Sequence, residues 1–142
     1  MGNELKKVLF LCIGNSCRSQ MAEGFLRAKQ TDLAEVYSAG THPAGFIISR
    51  TIMVMQEKGI DINSQYSKGV DAVDLDAMDV VVTMGCCKAQ EICSVSYSGE
   101  MIDWDIADPV GQPLEFYRMV RDEIETHVEK LLKRLQASTQ AP

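Results

Sequence analysis

Val8-Leu9-Phe10-Leu11-Cys12-Ile13-Gly14-Asn15-Ser16-Cys17-Arg18-Ser19 is the stretch on which the fold turns. Its apolar start, Val8 to Leu11, has the unbroken hydrophobicity of a strand buried on both faces, and it ends at Cys12. From Arg18 onward, Met21, Ala22, Phe25 and Leu26 recur at helical spacing. A strand, a short polar loop and a helix place the loop at a helix N-terminus, where successive backbone N–H groups form a nest of positive potential. Gly14 and Asn15 are residue types that tolerate a positive φ in so tight a turn. The loop is therefore expected to cradle an oxyanion, surrounded by Ile13, Gly14, Asn15, Ser16, Cys17, Arg18 and Ser19. Cys12 at its mouth is the candidate nucleophile. The helix dipole, the loop N–H groups and the Arg18 guanidinium favour its thiolate, and Arg18 can clamp two oxygens of a tetrahedral anion. Taken alone, the spacing of Cys12 and Arg18 fits equally a buried strand cysteine followed by a surface arginine. The register of strand, Gly-Asn and helix favours the site.

Working outward, a helix spans Arg18 to Lys29 and a second strand spans Ala34 to Ala39, closed by Gly40. This is a βαβ unit, hence a parallel pair with a right-handed crossover. A helix is expected over Phe46 to Glu57, ended by Lys58-Gly59. Ile60 to Met78 is weakly patterned and reads as loop with one helical turn around Val73 to Ala77. Asp79 to Met84 is a buried strand with a β-branched centre. A short helix over Cys86 to Cys93, a fourth strand over Met101 to Trp104, a turn-rich loop and a long amphipathic helix over Leu114 to Leu135 complete the pattern. The expected architecture is an α/β three-layer sandwich, a four-stranded parallel sheet with helices on both faces. It forms one domain over residues 1–135, with 136–142 a disordered tail. The loop then lies at the carboxyl end of the first strand, where such sheets bind ligands.

With 142 residues, 46% hydrophobic and 24% charged, the chain suits a single domain with a proper core. A net charge of -6 argues against a nucleic-acid partner, so anion affinity must come from the loop and not from the surface field. Neither a signal-like apolar run nor a membrane span occurs, which points to the cytoplasm and to no membrane partner; a monomer is expected. In that compartment the five cysteines are not a disulfide framework. Redox chemistry ranks above zinc, because only Cys86 and Cys93 are loosely clustered and both histidines lie far off. No metal and no cofactor are expected.

Asp108-Pro109 follows the last strand, and the proline biases Asp108 to an extended backbone that can hold a carboxyl over the site. Thiolate attack on an oxyanion needs an acid to protonate the departing oxygen, and Asp108 is the candidate; as a bare dipeptide it is also an ordinary turn. Cys86 and Cys93 are two helical turns apart, about 10 Å along an intact helix, whereas a disulfide needs Cα atoms about 5.5 to 6 Å apart. Bonding would require the segment to unwind, which a short polar helix does at low cost. Surface thiols without a role are the other reading. Cys17 reads as structural, and Cys87 as a spare for Cys86.

Cys-x5-Arg resembles the signature loop of cysteine-dependent phosphatases, in the low-molecular-weight branch. The longer stretches C-I-G-N-S-C-R-S-Q-M-A-E-G (12–24), Y-S-A-G (37–40), D-V-V-V-T-M (79–84), W-D-I-A-D-P (104–109) and F-Y-R-M-V-R-D-E-I (116–124) resemble, nearly end to end, the thioredoxin-coupled arsenate reductases of that fold. Ser19-Gln20 stands where tyrosine phosphatases of the fold carry Ser-Pro, and their tyrosines after Asp-Pro are missing. The resemblance implies arsenate as substrate and a relay of three cysteines, with Cys12 attacking arsenate, Cys86 second, Cys93 third and thioredoxin as reductant. Gly85 intervenes before Cys86, which leaves Cys86 or Cys87 open as second nucleophile. Cys93 is followed by Ser94 and not proline, which keeps glutaredoxin or a small thiol open as reductant. A low-molecular-weight phosphatase acting on phosphotyrosine or a small phosphoester is the alternative function.

Some relatives hold a potassium ion beside the loop through an Asn, a Glu, a Ser and an Asp. Asn15, Glu23 and Ser38 match the first three, with Ser19 alongside, and Lys68 falls at the fourth. The resemblance implies that the Lys68 ammonium replaces the ion. An exposed loop lysine is the other reading of that position.

Overall fold

The computed structural model describes residues 5–29 and 32–140. In chain order the elements are β1 (Lys6–Cys12), α1 (Arg18–Lys29), β2 (Ala34–Gly40), α2 (Ser49–Glu57), β3 (Val80–Thr83), α3 (Ala89–Ile92), β4 (Glu100–Asp103) and α4 (Leu114–Gln140). The four strands are all parallel in the order β2-β1-β3-β4, with Val8 of β1 level with Val36 on one side and Val80 on the other. Because β1 is central, its residues alternate between two covered faces. Val8, Phe10 and Cys12 pack with α1, α2 and α4 through Phe25, Met55 and Ile124, while Leu9 and Leu11 pack with Ala39, Val81, Ala89 and Cys93 on the opposite face. Burial on both faces is why this strand reads as an unbroken apolar run. The chain leaves β1 toward β2 on one side and later returns to β3 on the other. The carboxyl end of β1 is thus the topological switch point where a ligand crevice opens.

Beyond shifts of one residue at strand ends, the structure departs from the sequence pattern in four stretches. α2 begins at Ser49 and not Phe46, because the N–H of Ile48 donates to the carbonyl of Ser16 (3.0 Å) and so ties the approach to the loop. Residues 60–78 contain two 3-10 turns, Val70–Ala72 and Leu75–Ala77, separated by an extended Val73. The helix expected over 86–93 is a single turn, because Lys88 (φ -102, ψ 139) and Cys93 (φ -74, ψ 149) are both extended. α4 continues past Leu135, so residues 136–140 are helical where a disordered tail was expected; 141–142 lie outside the described residues.

Arg121 docks α4 on α2. Its Nη1 donates to the carbonyl of Val54 (3.0 Å) in the last turn of α2 and to Glu57 (2.7 Å), a cation placed where the helix dipole is negative. No helix among the described residues is long and apolar enough to cross a membrane.

Candidate active site

The loop between β1 and α1 turns its carbonyls away from its own interior. Thr41 N donates to Cys12 O (3.1 Å), His42 N to Ile13 O (2.8 Å), Ala44 N to Gly14 O (2.9 Å) and Ile48 N to Ser16 O (3.0 Å). Ser67 Oγ also donates to Gly14 O (3.0 Å), and Gln20 Nε2 to Asn15 O (3.0 Å). Among the described residues, no N–H from Gly14 to Ser16 donates to a protein acceptor. The geometry is therefore that of a donor-lined anion nest, and Asn15 supplies its left-handed residue at φ 49. Close packing of this loop on β2 requires Gly40: a Cβ there would stand 2.4 Å from Ile13 O and 2.9 Å from Asn15 N.

Asn15 is the hub behind the nest and is fully buried. Its Oδ1 accepts from Gln20 Nε2 (2.9 Å) and from the Lys68 N–H (2.9 Å). Its Nδ2 donates to Ser19 Oγ (2.8 Å) and to Ser38 Oγ (2.9 Å). These four bonds fix which way the amide points. Ser38 in turn donates to Glu23 Oε1 (2.5 Å), whose other oxygen accepts from Arg27 Nε (2.9 Å). Ser19 Oγ lies 2.8 Å from Cys12 Sγ. The Lys68 ammonium reaches Tyr66 O (3.0 Å) and Ser38 Oγ (3.4 Å), stands 3.9 Å from Glu23 Oε1 and covers the Tyr66 ring at 4.5 Å. Its side chain is 14% exposed, and burial lowers its pKa against the pull of Glu23.

Arg18 is anchored under the mouth by Nη1, which donates to the carbonyls of Met84 (2.6 Å) and Ile106 (3.0 Å). That leaves Nη2 directed at Asp108 Oδ2, 3.9 Å away. Asp108 is half exposed, and its Oδ1 accepts from the N–H of Val110 (3.1 Å), an Asx turn that holds the carboxyl over the loop. Cys12, Arg18 and Asp108 line one cleft of about 290 Å³, and Ile13, Phe46 and Val110 form its exposed apolar rim.

The five cysteines are all free and fall into distinct environments. Cys17 is buried, which pushes its thiol up to about 12 against the opposing pull of Thr51 and Arg18, so it stays a thiol. Cys86 and Cys87 are half-buried and precede α3 instead of lying on it, so the spacing argument for an intact helix from 86 to 93 does not apply. Cys86 Sγ lies 4.0 Å from the carbonyl of Leu11, the residue before Cys12. Burial, and next Cys86 itself, push Cys87 up to about 12. Cys93 is buried among Leu9, Leu11 and Val81, on the face of the sheet opposite Cys12. Burial raises its pKa, followed by the charges of Asp76 and Asp103.

Two supporting residues escape the sequence pattern. Gln20 is fully buried and joins Asn15 to the segment at 65–66, donating to Tyr66 O (3.0 Å) and accepting from Gln65 Nε2 at its Oε1 (2.8 Å). The dipeptide Ser19-Gln20 marks the departure from Ser-Pro but not these partners. Gly85 (φ 92) lets the exit of β3 pass over Ile106 beside the Arg18 guanidinium; a Cβ there would stand 2.6 Å from Ile106 O. Its intrusion between Met84 and Cys86 is the only sequence trace.

The profile of the low molecular weight phosphotyrosine protein phosphatase family matches residues 7–141. An arsenate reductase of Bacillus cereus is 40% identical over 126 residues, covering 88% of this chain and 92% of that protein. A glutaredoxin arsenate reductase of Synechocystis is 36% identical over 137 residues, covering 92% and 99%. The solved thioredoxin-dependent arsenate reductase of Corynebacterium glutamicum superposes with a TM-score of 0.78 at 28% identity, over 97% of this chain and 65% of that one.

Proposed function

Because the chain belongs to the low molecular weight phosphotyrosine protein phosphatase family, we propose that it reduces arsenate to arsenite through a thiol relay. The observation that carries this reading is Cys86 Sγ resting 4.0 Å from the carbonyl of Leu11, which places a second thiol beside the nucleophile strand. A hydrolytic phosphatase has no use for it.

The chemistry follows from the geometry. The Cys12 thiolate attacks arsenic in the nest, an S–As bond forms, and one oxygen leaves as water on taking the Asp108 proton. Arg18 and the loop N–H groups hold the remaining oxygens. The Cys86 thiolate, its proton lost to solvent, then attacks the Cys12 sulfur. An S–S bond forms, the S–As bond breaks, and its electron pair stays on arsenic. Two thiols are thereby oxidised to a disulfide, and arsenic leaves in the trivalent state as arsenite. Cys93 attacks Cys86 and frees Cys12, and an external dithiol of the thioredoxin class reduces the Cys86–Cys93 bond in a reducing, cytoplasmic compartment. Lys68 occupies the place of a potassium ion and holds Asn15 through Ser38 and Glu23.

Arsenate-dependent NADPH consumption with thioredoxin and its reductase, run against the same assay with glutaredoxin and glutathione, tests both the reaction and the reductant. Turnover with the first pair is expected, and Cys12→Ser abolishes it. Peptide mapping of the oxidised protein should find Cys86 bonded to Cys93; a Cys87–Cys93 bond would move the second role by one residue. No arsenate-dependent oxidation with either reductant would overturn the reading. The apolar rim of Ile13, Phe46 and Val110 favours a phosphomonoester as the second reading. Phosphatase activity that survives joint replacement of Cys86, Cys87 and Cys93 identifies it.

A further inference from the structure

The segment carrying three of the five thiols is attached to the sheet at few points. It leaves β3 through the left-handed Gly85, makes the single turn of α3 and ends at Cys93, whose N–H donates to Ala89 O (2.9 Å). Lys88 N donates to Glu91 Oε1 (2.9 Å), but that bond is internal to the turn. Among the described residues, the hydrogen bond that joins residues 87–93 to the sheet is from Ala89 N to Asp103 Oδ1 (2.9 Å). The same oxygen accepts from Thr83 Oγ1 (2.5 Å), and Thr83 and Asp103 are paired as the last residues of β3 and β4. One carboxylate oxygen thus clasps two strand ends and the first N–H of the redox turn.

We propose that Asp103 is a positioning residue of the relay, a latch that keeps Cys93 folded against the far face of the sheet until the turn opens. While the Ala89 carbonyl holds its N–H and Asp103 holds the Ala89 N–H, Cys93 stays packed among Leu9, Leu11 and Val81. Release of one hydrogen bond at the start of the turn removes the polar anchor of the whole turn. Asp103 lies at the surface, whereas Thr83 and Ala89, which donate to it, are fully buried and lose their acceptor when it lets go. Its carboxyl is held below its ordinary value, burial being outweighed by Thr83, Ala89 and Lys88, so it is an anion across the neutral range. The Ala89 side chain is fully buried and Cys93 is 8% exposed, so apolar packing remains as the second restraint and sets the resting state back after each opening.

The inference rests on the relay reading for its purpose, but its test uses the reduced full-length protein without arsenate or reductant and so stands apart from the reductase assay. Alkylation of Cys93 by N-ethylmaleimide is followed by mass spectrometry, with hydrogen exchange at residues 89–93 alongside and Cys12 alkylation as internal reference. Asp103→Ala should speed Cys93 alkylation and local exchange by about fivefold or more, as expected for loss of a capping acceptor, with β1 exchange unchanged. Asp103→Asn keeps an acceptor oxygen and should stay within about threefold of the unmodified protein. An unchanged Cys93 rate in Asp103→Ala, an acceleration matched in β1, or an Asn variant as fast as the Ala variant would each overturn the proposal.

Discussion

Ser19 Oγ stands 2.8 Å from Cys12 Sγ and at the same time accepts the Nδ2–H of Asn15 at 2.8 Å, so its own proton is left for the sulfur. A hydroxyl donor aimed at a buried thiolate is worth about 1.5 to 3 kcal/mol. Ser19→Ala should therefore slow alkylation of Cys12 by iodoacetamide, and turnover at neutral pH, by about tenfold or more. Rates equal to those of the unmodified protein would mean that the loop N–H groups alone hold the charge.

Gly85→Ala and Gly45→Ala make a matched pair. Both glycines have positive φ, 92 and 88, but a Cβ at Gly85 meets Ile106 O at 2.6 Å and Arg18 Nη1 at 3.2 Å, whereas at Gly45 nothing lies within 4 Å. Backbone strain alone costs both variants about 1 kcal/mol. Thermal melts should show the larger loss for Gly85→Ala, and only that variant should raise the KM for arsenate, because Arg18 is displaced. Equal effects at the two positions would discard the steric account.

Lys68 lies within reach of Ser38, Glu23 and the carbonyl of Tyr66. Turnover should be indifferent to exchange of potassium for sodium at constant ionic strength. In Lys68→Asp the position offers an oxygen ligand, and turnover should respond to potassium. Clear potassium stimulation of the unmodified protein would rule out the lysine as the ion's replacement.

Glu57 is held down to about 2 from an ordinary 4.5, first by the Arg118 hydrogen bonds, which outweigh the opposing effect of desolvation, and then by Arg121. Its folded value lies below its unfolded one, so its contribution to stability is fully present above pH 4.5 and is lost as pH falls toward 2. Glu57→Gln should flatten the acid limb of the melting temperature in that window and change little at neutral pH. An unaltered slope would show that the α2–α4 ion pairs do not outlast solvent screening.

β1, α1 and β3 were legible because their signals are local. The run Val8–Leu11 and the β-branched Val80–Thr83 are buried on both faces, and Met21, Ala22, Phe25 and Leu26 fall on one helical stripe. The reach of the nest could be read for the same reason, from Gly14, Asn15 and the start of α1. The segment from Gly85 to Cys93 could not, because its shape is set from beyond the next strand: Ile106 presses on Gly85, and Asp103 holds Ala89. Lys68 could be singled out only through the resemblance, since its partners Glu23 and Ser38 come from α1 and β2. The polar residues 136–140 resemble a tail in composition, yet Leu131 and Leu135 keep α4 docked up to its last turns.

Cys12 and Cys93 pack on opposite sides of one sheet, in separate hydrophobic neighbourhoods. Under the relay proposed above, recognition of the oxyanion and encounter with the reductant fall to different faces of the sheet and are modular. Residues around Ala89 and Ser94 can drift to suit a different dithiol donor without disturbing the nest, and the nest can be retuned without altering who supplies electrons. A lineage built on this layout can change its redox partner by substitutions on one side of the sheet alone.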